Sequence, residues 1–406
     1  MRGLAGIALG SAHGSQGDVV AAQRAYAEAS ASAQKRGYRT LSVSATCYLG
    51  MAQAKQARLH EALATYRQAL ELALGPGGRQ LLVGGFPLVK LGDLSREWND
   101  LDAASRDLTK GVAACAQWGQ ADFLADGYVA LARLQLAQGD LAGVRDTLQE
   151  ARQLARRSKV DVFVLCWLDE CRLRLWLSEG NVAAAMRWAE TSGLTVDDEL
   201  SYHHDLHHIN LARVLVAQGM RQPSGNYLGE ALGLLARLLA AAEKAGWIHE
   251  EIKILILQAL ALDAGGDTEE AIATLTRALT LAEPGGYVRI FVDEGASMGE
   301  LLHQAAAQGI APEYVSKLLA ACDVSESESV GKRFPRTRIQ PLIEPLSERE
   351  LEVLRLLATG LSTSSIAQEL FVAVSTLRSH AKSIYSKLNV HSRHEAVARA
   401  KELNLL

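Results

Sequence analysis

Aromatic residues make up only 5% of this 406-residue chain, and proline occupies only 8 positions. Sheet cores lean on aromatic and β-branched side chains. That scarcity, beside an apolar content of 49% rich in Ala and Leu, argues for closely packed helices. Five cysteines, Cys47, Cys115, Cys166, Cys171 and Cys322, are odd in number and match no metal-ligand spacing, so they read as reduced, mostly buried thiols of a cytoplasmic protein. No run of eighteen apolar residues occurs, so no membrane span is expected, and Leu4 to Leu9 is too short and too broken by glycine for a signal-peptide core. A nucleotide-cradling G-x-x-x-x-G-K-[ST] is also missing: Gly331-Lys332 runs into Arg333, and Gly75 to Gly78 lacks the lysine. No cofactor is therefore expected. Nor do a nucleophile, a base and an orienting group stand in any known pattern, and the expectation is a protein that is not an enzyme.

What the chain does have is a repeat. Gln16-Gly17-Asp18 is followed by Ala21, Ala22 and Tyr26; Gln56-Ala57-Arg58 by Ala62 and Tyr66; Trp98-Asn99-Asp100 by Ala103, Ala104 and Leu108. Gln138-Gly139-Asp140 and Glu179-Gly180-Asn181 continue the series, with steps of 40, 42, 40 and 41 residues from Gly17 to Gly180. The pattern is irregular around Gly219 to Asn226 and resumes at Gly266-Asp267, 86 residues after Gly180. Each period reads as a helix, a tight turn and an Ala-rich second helix. Stacking such pairs buries apolar surface that no single pair could bury alone.

The last sixty-odd residues have a different grammar. Leu377, Ala381, Ile384 and Leu388 recur at steps of four, three and four, which places them on one side of a helix starting near Ser375. Arg378, Ser379, Lys382 and Ser386 fall on the other side. Between Ser375 and Arg393 there are four Lys or Arg and no Asp or Glu, in a chain of formal net charge −4, so the positive charge is local. Upstream, Ser347-Glu348-Arg349-Glu350 reads as a capping box opening a first helix with Leu351, Leu354 and Leu357 inward, and Gly360 ends it. Ser362 opens a short second helix with Ile366, Ala367 and Leu370, and Phe371 to Val374 forms the turn into the basic helix. Ser392 starts a fourth helix with Val397, Ala400 and Leu403. Two helices joined by a tight turn, the second basic on its outer face, form a helix-turn-helix.

This stretch resembles the LuxR-type DNA-binding domain. The likeness rests on Leu346-Ser347-Glu348-Arg349-Glu350, Val353 to Ser362, Ile366-Ala367, Thr376-Leu377-Arg378-Ser379-His380, Ile384 to Leu388, and Arg393 to Val397. The resemblance implies that Arg378, Ser379 and Lys382 face base edges. It also implies that Thr376, Lys387 and Arg393 sit on phosphates and that Glu395, Val397, Ala400 and Leu403 form a dimer surface. Thr363-Ser364-Ser365 departs from the family's Asn and Glu, but the Thr363 and Ser365 hydroxyls still suit phosphate. Ala373 stands where the family has a capping Ser, a loss of about 1 kcal/mol unless Ser375 takes over. Residues 3 to 320, in turn, resemble the helical-repeat sensor of the MalT-like, large ATP-binding LuxR-type regulators. The marks are Glu97 to Leu101, Leu131-Ala132-Arg133-Leu134, Leu211 to Leu215 and, most diagnostic, Ala282 to Gly295.

An all-α chain is therefore expected: a tetratricopeptide-like solenoid over residues 1–320, a flexible linker over 321–341 that is rich in Ser and Glu and then basic, and a four-helix LuxR-type domain over 342–406. The family's nucleotide-binding module does not precede the repeats, which points to a shortened regulator or an internal start. Four other features invite simpler readings. His203/His207 and His204/His208 are i,i+4 pairs, but they lie on different faces with no partner Cys or Glu motif, so a repeat helix accounts for them better than a metal. Asp197-Asp198-Glu199 reads as a solvated turn, and the six tryptophans read mostly as core. The function expected is a sequence-specific transcription regulator that binds double-stranded DNA as a homodimer, with a small ligand or protein in the repeat groove. The alternative is an interaction scaffold or split-regulator subunit with little DNA affinity, which would have no need of the cationic face of Arg378, Lys382 and Lys387.

Overall fold

The computed structural model describes residues 2–78, 80–158, 160, 162–200 and 202–333, and in the terminal region residues 353, 354, 356, 357, 366, 369, 370, 374, 376, 377, 380, 381, 383 and 384. The chain forms two compact units, Met1–Val330 and Gly331–Leu406. No helix among the described residues is long and apolar enough to cross a membrane.

The first unit is a stack of helical pairs. In order they are α1 (Arg2–Ser15) with α2 (Val19–Lys35), α3 (Arg39–Lys55) with α4 (Leu59–Leu72), α5 (Gly85–Glu97) with α6 (Leu101–Trp118), and α7 (Ala121–Ala137) with α8 (Leu141–Arg157). Then come α9 (Val162–Ser178) with α10 (Val182–Ser192), α11 (Tyr202–Arg221) with α12 (Tyr227–Ala245), and α13 (Ile248–Ala264) with α14 (Thr268–Ala282). A strap of residues 283–295, containing the single turn α15 (Arg289–Val292), leads to α16 (Ala296–Ala307) and α17 (Pro312–Arg333).

The repeated tripeptides are the turns within the pairs. Gly17, Ala57, Asn99, Gly139, Gly180 and Gly266 all have positive φ, which reverses the chain after the first helix of each pair. The residue that follows caps the second helix: Asp18 accepts from the Ala21 N–H at 2.9 Å, Asp100 from Ala103 at 3.0 Å, Asp140 from Gly143 at 3.0 Å and Asn181 from Ala184 at 3.1 Å. Arg58 makes no such cap.

Inside six of the seven pairs, all but α11 with α12, size is matched across a fixed spacing of sixteen residues. A Cβ on Gly10 would lie 2.5 Å from the Tyr26 ring, one on Gly50 2.5 Å from the Tyr66 ring, and one on Gly92 2.6 Å from Leu108. The same spacing pairs Ala132 with Leu148 and Ala259 with Leu275, all buried, while Leu173 and Ala189 exchange the large and small roles. Close backbone approach in one helix thus makes room for a large side chain in the next.

The array also curls back on itself, because α3 touches α13 and the Lys55 ammonium lies 5.3 Å above the Trp247 ring. At the far end α17 remains helical to Arg333, past residue 321, where a linker was expected to begin. Ser, Glu and Lys carry only small helix penalties, and no proline interrupts the segment before Pro335. None of the five cysteines is in a disulfide; four are buried and Cys322 is half-buried.

In the second unit, Val353, Leu354, Leu357, Ile366, Leu370, Leu377 and Ile384 are buried. These include the inward positions expected at Leu354, Leu357, Ile366, Leu370, Leu377 and Ile384; Leu351, Ala367 and Leu388 lie outside the described residues. Val374 is already helical, one residue ahead of the start expected at Ser375.

Candidate functional site

In the five successive pairs that begin with α5, the first helix carries a charged residue between apolar neighbours at the same phase. These are Asp93 in Leu91-Gly92-Asp93-Leu94, Arg133 in Leu131-Ala132-Arg133-Leu134, Arg174 in Leu173-Arg174-Leu175, Arg213 in Leu211-Ala212-Arg213-Val214 and Lys253 in Ile252-Lys253-Ile254. The steps are 40, 41, 39 and 40 residues. Stacking the pairs aligns these positions into a rung along the inner face of α5, α7, α9, α11 and α13. The spacing is present in the sequence, where Arg133 and Arg213 stand among the family marks. Only the stack shows that they share one rung with Arg174 and Lys253.

Carboxylates complete the rung. Arg133 spans Asp93 (3.4 Å) and Glu170 (3.0 Å), and Glu170 also receives Arg174 (3.4 Å) and Lys253 (3.2 Å). Arg174 continues to Glu294 at 2.9 Å, and Arg213 closes on the other oxygen of the same carboxylate. Arg96 binds Asp93 at 2.9 Å and Glu97 at 3.0 Å and reaches Asp293 at 3.5 Å.

Electrostatics follow from this crowding. Burial alone would raise the Glu170 carboxyl, but Lys253, Arg133, Arg174 and Arg213 together hold it well below the usual range. Glu294 is likewise pulled down to about 2 by Arg174 and Arg213 against the effect of burial. Glu97 goes the other way, because burial outweighs Arg96. Burial also lowers His249 to about 4; its ring lies 3.1 Å from the Tyr287 hydroxyl. Charges held this way stabilise one arrangement of helices, and removing one partner leaves the others buried and uncompensated.

Glu294 and Asp293 belong to the strap, the segment singled out from sequence as most diagnostic. The strap lies across the inner ends of the repeats. The Trp98 indole N–H donates to the Gly285 carbonyl at 2.9 Å, and the Glu97 carboxylate accepts the N–H of Ile290 at 2.9 Å and of Val288 at 3.3 Å. Arg289 donates to Asn99 at 3.3 Å and to the Ala137 carbonyl at 3.5 Å. Gly285 is required where it stands, since a Cβ there would meet the Ala57 carbonyl oxygen at 2.8 Å.

Nearer the starts of the same helices the inner face is aromatic. The Phe86 and Phe123 rings are 4.4 Å apart, Trp118 stacks on Phe123 at 5.0 Å, and Tyr48 meets Phe86 edge-on at 5.7 Å. The Lys90 ammonium binds Asp126 at 2.6 Å and lies 5.7 Å from Phe86 and 5.8 Å from Trp167. Of the tryptophans, Trp188 and Trp247 are buried in the core, Trp118 and Trp167 belong to this half-buried aromatic face, Trp98 bonds the strap, and Trp176 lies 5.1 Å from the Arg172 guanidinium.

The other expected sites stand as follows. His208 is buried and contacts Asp198 at 3.1 Å; Asp198 also accepts from the Thr195 N–H at 2.9 Å, so this acidic turn is fastened rather than merely solvated. Thr376 is helical and exposed beside buried Leu377, as a residue on the outward face should be. His380 and Ala381 are half-buried. Arg378, Ser379, Lys382, Thr363, Ser365, Lys387 and Arg393 lie outside the described residues, as do Glu395, Val397, Ala400 and Leu403.

Comparison with known proteins follows the same division. Residues 1–308 match the family described as MalT-like TPR region, and residues 344–400 match bacterial regulatory proteins of the luxR family. The HTH-type transcriptional regulator MalT of Vibrio campbellii is 27% identical over 323 residues, covering 75% of this chain and 34% of the relative. The regulator of the same name from Yersinia pestis is 26% identical over 367 residues, covering 86% and 39%. The chain thus spans little more than a third of the length of these curated relatives. A solved circular tandem repeat protein covers 98% of the chain at 16% identity, with a TM-score of 0.18 that is too low to carry a likeness of fold.

Proposed function

Because the chain belongs to the MalT-like TPR region family and ends in a luxR-family domain, we propose that it is a sequence-specific DNA-binding transcription regulator. The observation that carries the reading is the terminal helix around Leu377. Its apolar positions Leu377 and Ile384 are fully buried and Thr376 is exposed, inside a stretch with four cations and no acid. A helix held from behind in this way presents its opposite side to a major groove. Arg378, Ser379 and Lys382 are the residues proposed to read bases, since Arg and Lys suit guanine O6 and N7. Thr363, Ser365, Thr376, Lys387 and Arg393 are proposed to fix register on phosphates. Glu395, Val397, Ala400 and Leu403 are the proposed dimer surface, placing two copies on two half-sites.

The repeat unit is proposed to sense a small ligand or a protein. Its rung of charges is already neutralised by the chain's own strap, which directs such a ligand toward the half-buried aromatic part of the inner face around Phe123, Lys90 and Trp167. In this reading the protein works in the bacterial cytoplasm and needs no cofactor of its own.

Binding-site selection from random DNA, run with the wild type beside an Arg378→Ala/Lys382→Ala variant, tests the regulator reading. A defined motif recovered by the wild type and lost in the variant supports it. The same nonspecific background from both proteins overturns it and leaves the interaction scaffold.

A further inference from the structure

A stack of helical pairs ordinarily has contacts only between neighbours, so its parts can open one at a time. This one has a second system of contacts. The strap of residues 283–295 touches nearly every pair: Ala57 in the turn after α3, Glu97 to Asn99 at the end of α5, Ala137 at the end of α7, Arg174 on α9, Arg213 on α11 and His249 on α13. The hydrogen-bond partners lie up to 197 residues away in sequence. Its apolar side is packed as fully as its polar side is bonded, with Tyr287, Val288 and Phe291 at most 1% exposed. The closing helices then dock on the strap itself: the Tyr314 hydroxyl donates to the Tyr287 carbonyl at 2.7 Å, and the Tyr314 ring meets Phe291 edge-on at 6.2 Å.

We propose that the strap is a keystone. It joins the helical pairs from α3 to α14 and the closing helices α16 and α17 into one cooperative unit, and the bond that locks it is the Glu294 carboxylate shared by Arg174 and Arg213. A lid would behave differently, since a lid is drawn from the least buried part of a fold and opens alone. Here the strap has no low-cost opening: leaving its seat takes the Glu294 carboxylate from buried Arg213, leaves Arg174 with Glu170 alone, takes Asp293 from Arg96, and removes the two N–H groups whose bonds Glu97 accepts. The geometry thus assigns a mechanical role to the family's most diagnostic segment. A displacement anywhere on the inner face between α5 and α13 is delivered through the strap to α16 and α17, the last helices before the chain enters its second unit.

Amide hydrogen exchange on the full-length protein tests this, comparing the protection of Val288 and Ile290 with that of Val89 in α5 and Leu255 in α13. In the wild type the strap and core amides open together, so the ratio of their opening constants is about one. In Glu294→Gln, which keeps the shape and removes the charge, the strap and α16 amides open roughly tenfold more readily than the core amides, or more. Glu243→Gln, which breaks the exposed pair with Arg277 (2.7 Å), leaves the ratio at about one. A wild-type strap that opens well ahead of the core overturns the proposal, and so does a Glu294→Gln protein whose ratio stays at one. If Glu294→Gln does not fold, the wild-type ratio decides alone.

Discussion

Arginine stands in opposite charge surroundings in the two units. Arg133, Arg174 and Arg213 sit inside the repeat unit, each within reach of at least one carboxylate and each flanked by buried leucine or valine. Arg378 and Arg393, with Lys382 and Lys387, stand in a stretch of nineteen residues that contains no acid at all. The first set has its counter-charges supplied by the fold, so it can only be structural. The second set has none between Ser375 and Arg393, which suits a surface proposed to meet a polyanion. Charge is thus informative about function through its local balance, far more than through the chain's net −4.

The comparison can be broken most severely at Glu170, which three cations share. Glu170→Gln should destabilise the repeat unit by about 3–5 kcal/mol in urea unfolding, because buried Lys253 is left without its carboxylate and half-buried Arg133 and Arg174 each lose one of two. An effect below about 1 kcal/mol, the scale of an exposed pair, would mean that the rung is not structural. Acid should probe the same interior. The folded chain holds His249 neutral down to about 4, against about 6.5 for an unfolded histidine. The unfolded state therefore takes up a proton that the folded state refuses, and stability falls as pH drops from about 6.5 to about 4. Glu294, with its folded value near 2, extends that loss from about 4.5 downward. Glu97, raised by burial, contributes with the opposite sign, so the clean readout is the difference between wild type and His249→Gln. That variant should be less sensitive over the upper part of the range, and an unchanged profile would show that His249 is not held neutral. The terminal unit offers a gentler test. Val374 is helical and Ala373 stands where the resemblance implies a capping Ser, so Ala373→Ser should stabilise that unit by about 1 kcal/mol in thermal unfolding. No gain would mean that another group already caps the helix.

The repeat unit was legible in sequence to the extent that its signals were local. Gly17-Asp18, Asn99-Asp100 and Gly139-Asp140 each mark a tight turn, and all three turns form as read, the Asp of each also capping the helix that follows. The inward face of the terminal helices was equally legible, because Leu354, Leu357, Leu377 and Ile384 obey helical periodicity. What sequence could not state was where Glu294 goes. Its partners Arg174 and Arg213 are 120 and 81 residues away, and only the curl of the whole stack brings them together. The helix running past residue 320 escaped notice for a different reason: Ser and Glu read as linker by composition, yet they are tolerable helix formers when a packed helix such as α17 already leads into them.

The central contrast, cations neutralised within the repeat unit and cations proposed to bind DNA in the terminal unit, is tested most directly by the salt dependence of DNA binding. Affinity for the selected site would be titrated between about 50 and 200 mM salt for the wild type, Lys387→Ala and Lys253→Met. Removing one phosphate contact should make the slope of log K against log salt shallower by about 0.9 in Lys387→Ala, while Lys253→Met keeps the wild-type slope. A Lys387→Ala slope equal to that of the wild type, or a Lys253→Met slope that changes, would contradict the division of labour between the two sets.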